Sequence, residues 1–174
     1  LALRWGEVRG LKVGDVNLGE RPVVHVQRSM SEGMKVPELT KGKRTRKIPV
    51  AEELVPILEE WTRGRKPGEF LIPDLTLTKF RYRLSWIDKK KKTRRYPLGR
   101  PETGQGRSVH DLRHTGITAW VDSGIPLPLV QRWAGHAQIG TTMGYTHLVG
   151  DRVNDDGIEM VNARNRRVRG DEWR

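Results

Sequence analysis

The stretch GHAQIGTTMGYTHL (135–148) places Tyr145 nine positions after His136 and two before His147, among glycines and threonines. A core aromatic would have apolar neighbours there; a Gly-flanked phenol reads as an accessible hydroxyl. A phenol titrates near pH ~10, so it attacks at neutral pH only beside a base or a cluster of cations. Three other short stretches supply such groups. LALRWGEVRGL (1–11) holds Arg4 and Glu7, three apart on a helical pattern and so neighbours on its surface, where the carboxylate can fix the guanidinium. TKGKRTRKIPV (40–50) is a basic turn leading into a strand, from which Lys41 projects as a proton donor or phosphate contact, with Lys43 its rival after a small register shift. HDLRH (110–114) sets His110 and Arg113 three apart, pointing the same way from a capped helix whose Leu112 faces the core. An imidazole beside a guanidinium suits a phosphate, one trading a proton and the other holding two oxygens.

Together these residues make a set for attacking a phosphodiester without a metal. Tyr145 is the nucleophile, and Arg4 and Arg113 neutralise the oxygens of five-coordinate phosphorus. The lysine protonates the departing 5′ oxygen and a histidine takes the phenolic proton. The histidines at 110, 114, 136 and 147 have no carboxylate at zinc-site spacing, and no HExxH is present, so a metal site is not expected. No cofactor is called for.

The chain that must position these groups has 174 residues, 33 Lys and Arg against 21 Asp and Glu, a net charge of +12 and no cysteine. Disulfide frameworks and thiolate metal sites are thereby excluded. No apolar run approaches the roughly 20 residues of a membrane span, and no stretch reads as a signal peptide. The charge points to a nucleic-acid partner, since releasing condensed counterions drives binding at modest salt. Composition does not separate DNA from RNA.

Hydrophobic periodicity predicts an opening helix through LALRWGEVRGLKVGD, stopped by Gly14 and cut into at its start, as in a fragment of a longer chain. PVVHVQRS (22–29) and RKIPV (46–50) predict two strands of a small antiparallel sheet. AEELVPILEEWTRG (51–64) predicts a helix with Leu54, Ile57, Leu58 and Trp61 on one face, and Pro56 near its start where proline is tolerated. LTKFRYRLSWI (77–87) predicts a helix with Phe80, Leu84 and Ile87 inward, followed by a long basic loop over 88–107. SVHDLRHTGITAWVDSG (108–124) predicts a helix capped by Ser108 and Asp111 and closed by Gly124. PLPLVQRWAG (126–135) predicts a shorter one ending at Gly135, after which the His136 ring swings towards a cleft. The expected fold class is mainly α with a small antiparallel β-sheet.

In this order the segments resemble the tyrosine recombinase, or phage integrase, family. LALRWGEVRGL is similar to its first-arginine segment, TKGKRTRKIPV to its lysine hairpin, HDLRHTGITAWVDSGIPLPLVQRWAGH to its HxxR-to-histidine block and GTTMGYTH to its nucleophile segment. The resemblance implies an N-terminally truncated catalytic domain over 1–150 and a basic C-terminal tail or helix over 151–174. It implies that Arg4 and Arg113 clamp the scissile phosphate of double-stranded DNA, Glu7 orients Arg4, and Lys41 is the general acid. His110 would be the acid/base, His136 a second phosphate or phenol contact, and Tyr145 the group that forms a 3′-phosphotyrosyl link. Lys43, Arg44, Lys89, Lys90, Lys91, Lys92, Arg94 and Arg95 would contact DNA, while His114 would be structural. A homotetramer on a DNA synapse, a docking role for 152–169, no membrane association and a cytoplasmic setting of bacterial or phage origin follow from the same resemblance. Three alternatives stand beside it. A type IB topoisomerase would use the same groups; a helix-turn-helix regulator would account for the charge alone; an RNA-binding protein would need an aromatic stacking platform that the chain lacks.

Overall fold

Helix α1 (Trp5–Gly10) is shorter than the amphipathic pattern around it. Its N-cap is Arg4, whose backbone N–H donates to Glu7 Oε2 at 2.8 Å, so an acidic side chain three residues on satisfies an orphan donor. The predicted helix through residue 14 is corrected: Leu11 turns extended, and Val13–Asp15 form a separate 3₁₀ turn whose Asp15 reaches back to the Lys12 N–H. This break lets the backbone at 11–13 pair instead, Leu11 O accepting from the Leu71 N–H and the Val13 N–H donating to Glu69 O. The fold is a computed structural model that describes residues 1–34, 36–39, 45–83, 108–148 and 162. It divides into two compact units, Leu3–Arg113 with Leu1, and His114–Arg174 with Ala2.

In the first unit, β1 (Val16–Asn17), β2 (Val23–Val26) and β5 (Arg46–Pro49) form an antiparallel sheet in the order β1-β2-β5. The predicted pairing of the two extended segments is present, with Val24 opposite Ile48 and Val26 opposite Arg46. The first segment is not one strand through 29: it breaks at Gln27, and β3 (Arg28–Ser29) leaves to pair with β4 (Glu38–Leu39). Asp15 marks the break, accepting from Gln27 Nε2 at 2.8 Å and from Arg28 Nη2 at 2.5 Å. Alternation sends Val24, Val26, Ile48 and Val50 into the core with Leu11, Val13, Leu58 and Leu71. Each such side chain contributes about 1.5–3 kcal/mol by leaving water.

A 3₁₀ turn (Glu52–Leu54) leads into α2 (Val55–Thr62), which has Pro56 in its first turn. The inward face predicted for this helix is narrower than expected. Leu58 is buried, but Ile57 and Trp61 are each 43% exposed, so this eight-residue helix turns one of its predicted apolar positions fully inward. Helix α3 (Leu77–Arg83) brings Phe80 against Trp5, ring centroids 5.2 Å apart. Leu84, Ile87 and the predicted loop at 88–107 lie outside the described residues.

The unit boundary falls within α4 (Val109–Asp122). Its start follows the capping prediction, with the Ser108 N–H donating to Asp111 Oδ2, and the Gly124 N–H closes it on Val121 O. The second unit adds α5 (Leu127–Ala134) and α6 (Ile139–Met143), then a 3₁₀ turn at Thr146–Leu148. Ile117, Val121, Val130 and Ala134 form its core, bordered by Ala2, Trp120, Ile125 and Leu127. Trp120 and Trp133 meet edge to face at 5.6 Å. The described residues are about half helical with a small antiparallel sheet and a two-stranded pair beside it, the expected fold class.

Candidate active site

Two groups of polar side chains stand out, one in each unit. In the first, α1 presents Arg4 and Glu7 one turn apart, and Arg4 Nη1 donates to Glu7 Oε1 at 3.1 Å. The expected pairing is present, but Glu7 has a second and stronger partner. Arg46 donates from Nη1 to Oε1 at 2.9 Å and from Nη2 to Oε2 at 2.8 Å, a two-point fork on a carboxylate whose side chain is 3% exposed. Burial pushes the Glu7 carboxyl up, yet the hydrogen bonds and charge of Arg46, followed by those of Arg4, outweigh it and hold the group below its ordinary value. Arg4 remains 44% exposed at the side chain.

The backbone here is set by close approach. A Cβ on Gly10 would stand 3.1 Å from the carbonyl carbon and oxygen of Arg28, so α1 lies backbone against backbone on β3. The Met30 N–H donates to Gly6 O at 2.8 Å across the same contact. Arg9 pins the helix from below, with Nε on Leu75 O at 2.9 Å and Nη1 on Met30 O at 3.1 Å.

Arg113 is buried at 3% exposure, while His110, three residues before it on α4, is exposed. Leu112 was expected to face the core and is instead 46% exposed. The buried line of α4 runs Arg113, Ile117, Val121 at four-residue spacing, and Leu112 stands about 100° round the helix from Arg113. Lys41, Lys43, Arg44, Lys89, Lys90, Lys91, Lys92, Arg94 and Arg95 lie outside the described residues.

In the second unit the phenol is not accessible as expected. Tyr145 is 8% exposed and packs in the core cluster with Ile117, Val121, Val130 and Ala134. Its flanking glycine and threonines are polar in sequence, but Thr142 is itself buried, one helical turn away on α6. The Tyr145 hydroxyl stands 2.6 Å from His114 Nδ1. His136 stacks on the phenol ring at 6.1 Å, and its Nδ1 shares a 2.9 Å hydrogen bond with Thr142 Oγ1. Its half-buried ring is thus placed against Tyr145. The motif at α5's end explains this placement. Gly135 takes a left-handed φ of 68°, its N–H bonding Arg132 O and the His136 N–H bonding Gln131 O, so the chain turns and hands His136 to α6. His147 is exposed in the closing turn.

Sequence reasoning therefore missed Arg46 and the contact of His114 with Tyr145. Both carried a signal. Arg46 shares strand parity with buried Ile48 and Val50, which places it on the inner face. His114 stands three residues before Ile117 on α4 and so shares its side of the helix. Among the described residues no group of three or more His, Asp or Glu is placed to hold a metal ion, and no helix is long and apolar enough to cross a membrane.

A mainly helical domain with this small sheet is also the fold of tyrosine recombinase catalytic domains. The Tn1549 transposon integrase, solved in complex with transposon right end DNA, matches with a TM-score of 0.65 at 23% identity, over 92% of this chain and 55% of that one. The catalytic domain of bacteriophage HP1 integrase matches with a TM-score of 0.54 at 18% identity, over 88% of this chain and 71% of that one. The phage integrase family model matches residues 1–151, and the chain belongs to that family. It is 34% identical over 148 residues to tyrosine recombinase XerC of Pseudomonas entomophila, covering 84% of this chain and 44% of the relative. It is 29% identical over 160 residues to tyrosine recombinase XerD of Pseudomonas aeruginosa, covering 88% of this chain and 48% of the relative. The chain thus spans about half the length of the curated relatives it matches.

Proposed function

We propose that this chain is the catalytic part of a site-specific DNA recombinase, cutting and rejoining double-stranded DNA through a covalent tyrosyl intermediate. The phenolic oxygen of Tyr145 attacks a backbone phosphorus, the bond to the 5′ oxygen breaks, and a 3′-phosphotyrosyl link holds the strand. A 5′ hydroxyl from another strand then attacks the same phosphorus and releases the phenol, conserving the number of phosphodiester bonds, so neither ATP nor a metal is consumed. Arg4 and Arg113 hold the phosphate oxygens, Lys41 (with Lys43 as the rival) protonates the leaving 5′ oxygen, His110 acts as acid/base, and His136 contacts the phosphate or phenol. Glu7 holds Arg4. Basic residues at 43–44 and 89–95 track the DNA backbone, residues 1–150 form the catalytic domain, and residues 152–169 dock on a neighbouring protomer in a tetramer.

The observation that carries this reading is Tyr145 in a chain matched by the phage integrase family over residues 1–151, its hydroxyl 2.6 Å from one imidazole and its ring stacked on another. A phenol so placed has a proton partner within reach before any substrate arrives. Its burial means that the segment bearing Tyr145 shifts for the oxygen to meet a phosphate. The family match favours this enzyme over the helix-turn-helix regulator, which leaves the arginines and the tyrosine unexplained. The test is incubation with a suicide duplex in EDTA, followed by a denaturing gel. A covalent protein–DNA band that disappears in Tyr145→Phe is expected. DNA binding without any such band would overturn the reading.

A further inference from the structure

Thr142 ties His136 to Tyr145. It is fully buried, on the five-residue helix α6. Its carbonyl accepts the Tyr145 N–H at 3.0 Å, and its Oγ1 lies 2.9 Å from His136 Nδ1. The two rings held in this way lie 17° from parallel, with centroids 6.1 Å apart.

The hydrogen between Oγ1 and Nδ1 can be assigned. A threonine hydroxyl has one hydrogen to donate and two lone pairs, whereas a neutral imidazole has one donor nitrogen and one acceptor nitrogen. Among the described residues, His136 Nδ1 is the one hydrogen-bond partner of the Thr142 hydroxyl, and at 0% exposure solvent does not reach it. Were the hydrogen on Nδ1, the hydroxyl would accept it and keep its own hydrogen buried without an acceptor, which is costly. When the hydroxyl donates instead, both groups are satisfied, and the neutral ring carries its hydrogen on Nε2. The assignment comes from the needs of the threonine and asks for no vacancy at Nε2.

We propose that Thr142 is a positioning residue for His136: its buried hydroxyl donates to Nδ1 and holds the ring in the Nε2–H form, stacked on Tyr145. This deepens the proposed reaction and rests on His136 contacting phosphate or phenol there. A neutral imidazole fixed this way has its lone pair taken at Nδ1 and a hydrogen to offer at Nε2. It acts on an oxygen as a donor, the role that suits a phosphate oxygen gathering charge as phosphorus becomes five-coordinate. The phenolic proton then goes to a group other than His136.

Two measurements on the full chain test this. The first is a long-range proton–nitrogen correlation spectrum of nitrogen-labelled protein, with His136 assigned by its absence from the spectrum of His136→Gln. The native protein is expected to show Nε2 protonated and Nδ1 not, and Thr142→Val to show the other tautomer or exchange between the two. The second is single-turnover formation of the covalent DNA adduct at saturating suicide duplex. Thr142→Val is expected to slow it by about tenfold or more, with duplex affinity altered less than about threefold. Thr142→Ser, which keeps the hydroxyl, is expected to stay within about threefold of the native rate. A role in packing alone gives the opposite order, because valine keeps the γ-methyl that serine lacks. Where circular dichroism shows Thr142→Val unfolded, Thr142→Ala takes its place with the same expectations, since it differs from Thr142→Ser only in the hydroxyl. A hydrogen on Nδ1 in the native protein, or a variant without the hydroxyl that keeps the native tautomer and rate, overturns the inference and leaves the enzyme reading intact. Absence of an adduct from the native chain overturns the enzyme reading, and the positioning role with it.

Discussion

Tyr145 and Glu7 show how much a single side chain's surroundings decide. Removing the His114 ring by His114→Ala takes one hydrogen bond from the Tyr145 hydroxyl, a loss of about 0.5–1.5 kcal/mol, seen as a lower melting temperature and a slower adduct. His114→Gln, which can still bond the phenol, should recover most of the stability. For Glu7 the sign follows from the direction of its shift. The folded carboxyl is held below its unfolded value by Arg46 and Arg4 against burial, so its stabilising effect is complete above the unfolded value, near pH ~4.3, and fades as pH falls through the folded value. Breaking the buried pair by Glu7→Gln is expected to cost about 3–5 kcal/mol at neutral pH. In urea denaturation the gap to the native protein should narrow below pH ~4.3; a gap constant down to pH 3 would contradict the ion-pair account.

The identity of these groups was legible in sequence: Arg4 with Glu7, Arg113 and Tyr145 were all singled out by type and spacing. Their environments were less so. Leu112, expected in the core, is exposed, and Tyr145, expected at the surface, is inside. Apolar counting misled in both cases because the buried line of α4 includes an arginine and the buried face of α6 a threonine. Polar residues that are satisfied inside a protein look like surface residues in a string of letters.

Among the elements, β2, β5, α2, α4 and α5 followed the sequence signals, including the proline at the start of α2 and the glycine that ends α5. The opening helix did not, since backbone pairing of 11–13 with 69–71 competes with helical propagation and wins. The close seat of α1 on β3 gives a prediction at this scale. Gly10→Ala puts a methyl about 3.1 Å from the Arg28 carbonyl carbon and oxygen, and backbone cannot yield as a side-chain tip can. A loss of about 1–3 kcal/mol is expected from overpacking, with a parallel fall in adduct formation because α1 carries both Arg4 and Glu7. In the second unit, Gly135→Ala forces a methyl into a left-handed conformation, at a cost of about 1–2 kcal/mol. Chemical denaturation of both variants checks the magnitudes. A Gly135→Ala protein as stable as the native one would mean that the turn into His136 adopts another backbone path.

For the molecule as a whole, a net charge of +12 sets how binding responds to salt. Each phosphate neutralised on duplex DNA lowers the slope of log affinity against log salt by about 0.9. The run KKKKTRR at 89–95 holds six cations, Lys89, Lys90, Lys91, Lys92, Arg94 and Arg95. If all six meet phosphates, replacing them with glutamine should flatten that slope by about 5, and equally for unrelated duplexes, because phosphate contacts carry no sequence information. Fluorescence anisotropy between 50 and 200 mM salt reads the change directly, a range over which six to ten contacts would alter affinity by about 10³–10⁵. If that is their role, the melting temperature and the slow chemistry at saturating DNA should stay as they were, since backbone phosphate contacts do not touch the reacting atoms. A flattening of the slope confined to one DNA sequence would point instead to base contacts. An unaltered slope would mark the run as a solvated segment and move the burden of DNA attraction to the rest of the basic surface.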